Sequence, residues 1–376
     1  MRSGVHAYLT KQTRWLMLRT GGYERHLLRR CNPVVQVLLW AKSRRWVKLV
    51  AGHDPAATSA LRVPYADPSA ALGLTGFVLG LDGASHAVEA GALAGVIADA
   101  APGHLAGLGA AGRYATAAVP RGTAFDVGPI IEDGVLIWAA HLLGVDQVCV
   151  PGLRWVGGAV VERTYRVTEF LTAFDGPSAE RAQEAVDTVE RFRVDLRRVV
   201  TPAPAGTVRA ALGVRHGDLA GSPPSPSTIR DIIGLTGGPV ELTRKAAMSV
   251  VSWALADSRR WSTVHSLLAD PPVDDEGAAS QRSRMRTVVS SCPPEYLLPR
   301  WDAAGKPVLV RLWREGGGTD QVPDAVFGAA PHRCLGEQLS LDALIAVLTP
   351  VFAGPGGRWT PPLAGDAATG LWITID

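Results

Sequence analysis

The sequence is poor in the features that staple small secreted or metal-clustered proteins. Its four cysteines, Cys31, Cys149, Cys292 and Cys334, are scattered, with no Cys-x-x-Cys pair and no spacing that holds zinc. This argues against a disulfide framework and leaves a single functional thiol as the better expectation. Charge is sparse as well: 19% of residues are Asp, Glu, Lys or Arg and the formal net charge is +3. The total therefore points to neither a nucleic acid nor an acidic partner. No apolar run approaches the roughly 20 residues that a membrane-spanning helix needs. The N-terminus also lacks the basic tip, apolar run and small-residue cleavage site of a secretory signal, so a cytoplasmic protein with no membrane span is expected. No internal repeat, low-complexity tract or composition break divides the chain, so residues 1–376 read as one domain.

What is present is a large apolar fraction, 47%, in stretches of helical period. Apolar residues recur at this spacing in 127–143, 182–200, 228–256 and 335–351, whereas 306–313 (KPVLVRLW) is the best strand. The expected fold class is mainly α with a small β component. Segments rich in Pro and Gly at 201–206, 221–226, 270–277 and 316–318 read as surface loops. Residues 1–50 carry eleven Lys and Arg against one acid, Glu24. A solvated basic face is the plain explanation, and contact with an acidic carrier or electron-transfer protein is the functional one.

The informative segment is 327–336, FGAAPHRCLG, followed directly by the helical run EQLSLDALIAVLTPVF. It resembles the haem-binding loop of the cytochrome P-450 superfamily, F-G-x-G-x-H-x-C-x-G. Phe327, Gly328, His332, Cys334 and Gly336 match, and Ala330 stands at the second glycine. The resemblance implies a P-450-like fold and haem b, with Cys334 as the axial iron ligand. A thiolate there pushes electron density onto the iron and favours O–O cleavage. Phe327 would shield the sulfur, and Gly328 and Gly336 would let the loop run close beneath the macrocycle. His332 would meet a haem propionate. The segment PPEYLLPR (293–300) resembles the turn and strand after the family's helix K, which makes Arg300 a second propionate partner. LDGASHAVEAG (81–91) resembles the start of its helix C. His86 keeps one haem contact there, and Ala90 replaces the arginine of the other.

The sequence departs from the family in two places. Helix K normally carries a buried Glu-x-x-Arg that joins an arginine of the following meander. Here those positions are Thr287 and Ser290, and the meander is cut to 314–326. Losing all members of such a cluster together is nearly neutral, whereas losing one strands a charge. In helix I, family members that activate oxygen carry an acid followed by a threonine, which deliver protons. This chain offers GLTGGPVELT (234–243). One register aligns Gly238 and Pro239 with the family's small pair, making Glu241 the acid and Leu242 the residue in place of threonine. Another puts Pro239 and Val240 at the acid and threonine positions. In either, Thr236 or Thr243 is the substitute hydroxyl. Pro239 should also kink the helix.

The resemblance implies a monooxygenase-like haem-thiolate oxidoreductase acting on a small organic substrate, in bacterial natural-product biosynthesis. Loop 63–80 and strand 295–298 would line the substrate. A ferredoxin-type electron donor and an acyl or peptidyl carrier protein are the implied partners. The missing acid–threonine pair leaves room for peroxide-driven or redox-neutral chemistry. The alternative is a haem-free P-450-like docking module for a carrier protein or partner enzyme.

Overall fold

The computed structural model describes residues 48–51, 60–120, 122–145, 149–166, 179–199, 201–255, 258–270, 272–292, 297–311, 324–328, 332–353 and 372–374. Nearly all of the basic 1–50 segment, Glu295, Ala330 and 314–323 lie outside these residues.

Helices dominate, and the strongest periodic segments are among them. In order, α1 spans Ala66–Ala71, α2 Gly83–Asp99, α3 Ala101–Ala118, α4 Gly128–Leu143 and α5 Val150–Val161. They are followed by α6 Ala179–Arg197, α7 Val208–His216, α8 Pro226–Thr236, α9 Thr243–Ala254, α10 Ser258–Ala269, α11 Asp275–Ser291 and α12 Glu337–Phe352. Short polar signals set several starts. The hydroxyl of Ser225 accepts the Thr228 N–H at 3.3 Å and Pro226 takes the first turn of α8, where no donor is needed. The Asp274 carboxylate accepts the Gly277 N–H at 2.7 Å, so α11 starts inside the segment expected to be a loop up to residue 277.

The core gathers where α3, α4 and α12 pack together. Along α3, buried Gly103, Gly107, Ala111 and Ala115 recur every fourth residue and form one smooth stripe. A Cβ at Gly107 would lie 2.7 Å from the Trp138 carbonyl oxygen, and one at Gly103 2.9 Å from that of His141. Only a stripe without side chains allows α4 so close. Leu344, Val347, Leu348 and Val351 of α12 fill the other side of the core.

The strands are few. β4 (Pro307–Arg311), the best strand in the sequence, lies between β1 (Lys48–Ala51), parallel to it, and β3 (Leu297–Trp301), antiparallel. A separate pair joins β2 (Ala124–Asp126) to β5 (Trp372–Thr374). Among the described residues no helix is long and apolar enough to cross a membrane.

Candidate active site

The cysteine loop ends one residue before α12. Gly328 has φ +77, and a Cβ there would lie 2.6 Å from the His332 carbonyl oxygen, so only glycine fits this bend. The Cys334 N–H donates to the Phe327 carbonyl at 2.7 Å, closing the loop on itself. Cys334 is exposed, unlike Cys149 and Cys292, which are buried. Desolvation by its surroundings nevertheless pushes the thiol up to about 11, against the N–H of Gly336, which donates to the sulfur and favours the thiolate. Glu337 pushes in the same direction as burial and Arg333 opposes it. A cation bound opposite the sulfur would supply what the thiolate lacks.

Two imidazoles and a guanidinium from distant segments meet at this loop. The His332 Nδ1 lies 3.2 Å from His86 Nε2, and the His332 Nε2 lies 3.2 Å from Asp82 Oδ1. The hydrogen bonding is ordered: with His332 neutral and its Nε2–H donated to Asp82, Nδ1 accepts from the Nε2–H of His86. The Arg300 guanidinium donates to the Tyr65 hydroxyl at 2.7 Å and lies over its ring, 5.5 Å from the centroid. Burial lowers the His332 pKa; His86 and Arg300 lower it further, and Asp82 opposes them. His86 is lowered by desolvation, again against Asp82. Two imidazoles held toward their neutral form and one guanidinium, with one carboxylate among them, form a site with several N–H donors and little negative charge. Paired carboxylates would relieve it.

Where the sequence predicts a kink at Pro239, the structure has a change of helix type. Between α8 and α9 the backbone is π-helical over Gly237–Leu242. Pro239 has no N–H to donate, and the widened turn absorbs the break in the α ladder. Two faces of this turn differ sharply. A Cβ on Gly237 would lie 2.6 Å from Val160 Cγ1 of α5, whereas one on Gly238 would meet nothing within 4 Å. Gly238 thus faces open space, and Leu242, one turn further on, is half-buried.

The polar candidates on this helix do not join Gly238. The buried Thr236 hydroxyl donates to the Ile232 carbonyl of its own helix at 2.8 Å. That of Thr243 is buried against α12 and donates to Ser340 Oγ at 3.1 Å. Glu241 accepts both arms of Arg244, at 3.0 and 2.9 Å, with Lys245 at 3.6 Å. Phe327 and Gly336 sit at the two ends of the cysteine loop, half-buried.

Four residues that sequence reasoning passed over belong to the site. Asp82 and Tyr65 hold His332 and Arg300. Glu337, at the first position of α12, is paired with Arg286 of α11 and with Arg333, which lies 3.0 Å away. The Thr287 hydroxyl returns to the Ser283 carbonyl at 3.2 Å, and Ser290 Oγ is buried with no hydrogen-bond partner among the described residues. No sequence signal marks these pairs, because they depend on how two helices far apart in the chain are registered.

No family model matches the chain, and no curated protein matches it in sequence. Solved structures do resemble it. Ligand-free CYP164A2 of Mycobacterium smegmatis shares 16% identity over 81% of this chain and 82% of its own, with a TM-score of 0.59. Epothilone B-bound cytochrome P450epoK shares 17% identity over 83% and 84%, with a TM-score of 0.60. P450 RauA, complexed with a biosynthetic intermediate of aurachin RE, shares 15% over 80% and 76%, with a TM-score of 0.55. At such identities the likeness speaks for architecture alone: the chain has the fold of the bacterial cytochromes P450.

Proposed function

We propose that the protein is a haem-thiolate oxidoreductase acting on a small organic substrate. One observation carries this reading: the exposed Cys334 thiol shares its site with the Arg300 guanidinium and the imidazoles of His86 and His332, side chains drawn from three distant segments. One thiolate and a cluster short of carboxylates are what haem b requires, a single axial ligand and partners for two propionates. When bound, haem with an axial thiolate supplies electron-rich iron for oxidative or rearrangement chemistry.

The chain's own residues divide the remaining work. Cys334 would ligate the iron, with the Gly336 N–H directed at its sulfur. Phe327 and Gly328 shape the cysteine loop. His86, His332 and Arg300 would hold the propionates, and Asp82 and Tyr65 orient these side chains. Gly238 would leave room for substrate, with Leu242 as an apolar wall. That similar structures hold epothilone B or a biosynthetic intermediate of aurachin RE supports a natural-product substrate.

The distal face favours chemistry that needs no dedicated proton relay. Thr236 and Thr243 spend their hydroxyls on Ile232 and Ser340, and Glu241 is held by Arg244 and Lys245. Peroxide-driven or redox-neutral turnover therefore fits this site better than oxygen activation fed by a ferredoxin-type donor. The deciding experiment is an absorption spectrum of the full chain supplied with haem. A Soret band and the carbon monoxide difference band that names the family are expected, and Cys334→Ala should lose the latter. A chain that takes up no haem would instead be the docking module for a carrier protein. Turnover with peroxide, with oxygen and a redox partner, or under anaerobiosis then separates the chemistries.

A further inference from the structure

The two positions at which helix K of the family carries its buried Glu-x-x-Arg hold Thr287 and Ser290, and neither reaches another helix. The same helix nevertheless presents two arginines to α12. Arg286 pairs with Glu337, and Arg282, one turn earlier on the same face, pairs with Asp342 at 3.3 Å. Glu337 is buried, at 7% exposure, and is also held from the cysteine side by Arg333 at 3.0 and 3.1 Å. The second rung continues inward. Asp342 meets the Nε2 of buried His104 at 3.3 Å, and His104 accepts the Trp138 indole N–H at 3.0 Å through Nδ1. That acceptance fixes the tautomer, leaving Nε2–H to donate to Asp342. Residues of α3, α4, α11 and α12 are thus joined by two separate polar rungs, of which the Arg286–Glu337–Arg333 rung ends beside Cys334.

We propose that Glu337 is the positioning residue of the ligand loop, and that the Arg286–Glu337–Arg333 cluster replaces the ionic cluster that helix K otherwise supplies. The inference deepens the haem-thiolate reading and rests on it for its consequence. Glu337 is three residues after Cys334 and Arg333 is adjacent to it, so the clamp ties both flanks of the cysteine to α11. Its net charge is that of two cations on one carboxylate. Neutralising Glu337 removes the carboxylate that joins half-buried Arg286 to exposed Arg333, which opens the clamp at its centre.

The test uses the full chain and two readouts. In haem-free protein, the alkylation rate of Cys334 is followed by peptide mapping, with the buried Cys149 and Cys292 as internal references. In haem-loaded protein, haem affinity and reduction potential are measured. Glu337→Gln should speed Cys334 alkylation severalfold with the references unchanged, weaken haem binding about tenfold, and shift the potential positive because a negative charge near the sulfur is gone. Glu337→Asp should restore part of each. The double variant Arg286→Met with Glu337→Gln should label more slowly than Glu337→Gln alone, because the stranded charge is removed with its partner. Arg333→Met, on the exposed side of the clamp, gives the same direction in a background that folds even where Glu337→Gln does not. Unchanged Cys334 labelling in both Glu337→Gln and Arg333→Met overturns the inference. A wild-type chain that takes up no haem overturns the haem-thiolate reading instead, and the labelling arm still decides the role of Glu337.

Discussion

Adjacent glycines in the π-helical turn should respond oppositely to the same added methyl group. Gly237 has helical backbone angles, φ −59 and ψ −45, so alanine there is free of backbone strain and gains about 0.5 to 1 kcal/mol from reduced unfolded-state freedom. Its Cβ, however, would lie 2.6 Å from Val160 Cγ1 and 3.1 Å from Val160 Cβ, where α5 crosses the turn. Overpacking of that kind costs about 1 to 3 kcal/mol, so Gly237→Ala should be destabilised by about 0.5 to 2 kcal/mol. Gly238→Ala receives the same gain with no neighbour within 4 Å, and should be stabilised by about 0.5 to 1 kcal/mol. For 376 residues the unfolding entropy is about 0.8 kcal/mol/K, so the two variants should differ in Tm by about 1 to 4 °C, within the reach of scanning calorimetry. The larger Gly238→Phe extends the test to function. It should fill the open space, leaving stability near wild type while weakening carbon monoxide binding to the haem-loaded protein. Equal destabilisation of Gly237→Ala and Gly238→Ala would refute the orientation of the turn. Unaltered carbon monoxide binding in Gly238→Phe would refute the assignment of that space to the ligand side.

Restoring a hydroxyl at the family position, Leu242→Thr, should raise oxygen-dependent product formation relative to peroxide-driven turnover, as measured in parallel assays with and without a redox partner. Arg300→Met and His332→Ala should each weaken haem retention by about 1 to 2 kcal/mol, the usual value of a charge-assisted hydrogen bond, read as a roughly tenfold faster loss to apomyoglobin. His104→Leu strands the buried Trp138 indole N–H and should cost about 1 to 3 kcal/mol in urea unfolding. The double variant with Trp138→Phe should cost less than the sum of the singles.

Much of the helical framework was legible because burial writes a 3.6-residue period into the sequence. The segments around α4, α6, the α8–α9 helix and α12 all carried it, and β4 stood out as a short apolar run. Helices α2 and α3 did not. The buried face of α3 is mostly Ala and Gly, such as Gly103, Gly107 and Ala111, whose low hydrophobicity hides the period while their small size makes the close packing possible, and α2 buries only His86, Leu93 and Val96. At the site, Cys334 and its flanking glycines were legible through the resemblance of one contiguous motif, in which loop geometry dictates residue type within a few positions. The convergence of His86, Arg300 and His332 was also read through resemblance, since nothing local links His86 to a residue 246 positions away. Asp82, Tyr65, Glu337 and Arg286 were missed because their partners lie in other segments of the chain. A charged residue on a helix looks solvated until the partner helix is in place.

The proline and the distal polar groups have a single explanation. In an α-helix, Glu241, three residues after Gly238, would lie on a neighbouring part of the same face. The π-helical turn takes more residues to complete a revolution, so Glu241 is turned further from Gly238, and its carboxylate is held by Arg244 and Lys245, its neighbours three and four residues on. Pro239, by removing the N–H that an α ladder needs, makes this turn the favoured geometry. The displacement of the acid is then a backbone effect and not a consequence of its ion pairs alone. Breaking the pairs, as in Arg244→Met, should leave Glu241 pointing away, and an added hydroxyl at Leu242 should find no acid beside it. Pro239→Ala with Leu242→Thr removes the obstacle to the α ladder and supplies the hydroxyl together. The pair should therefore raise oxygen-dependent turnover by more than the product of the separate gains, and equal, independent gains would show that the turn has no part in orienting the acid.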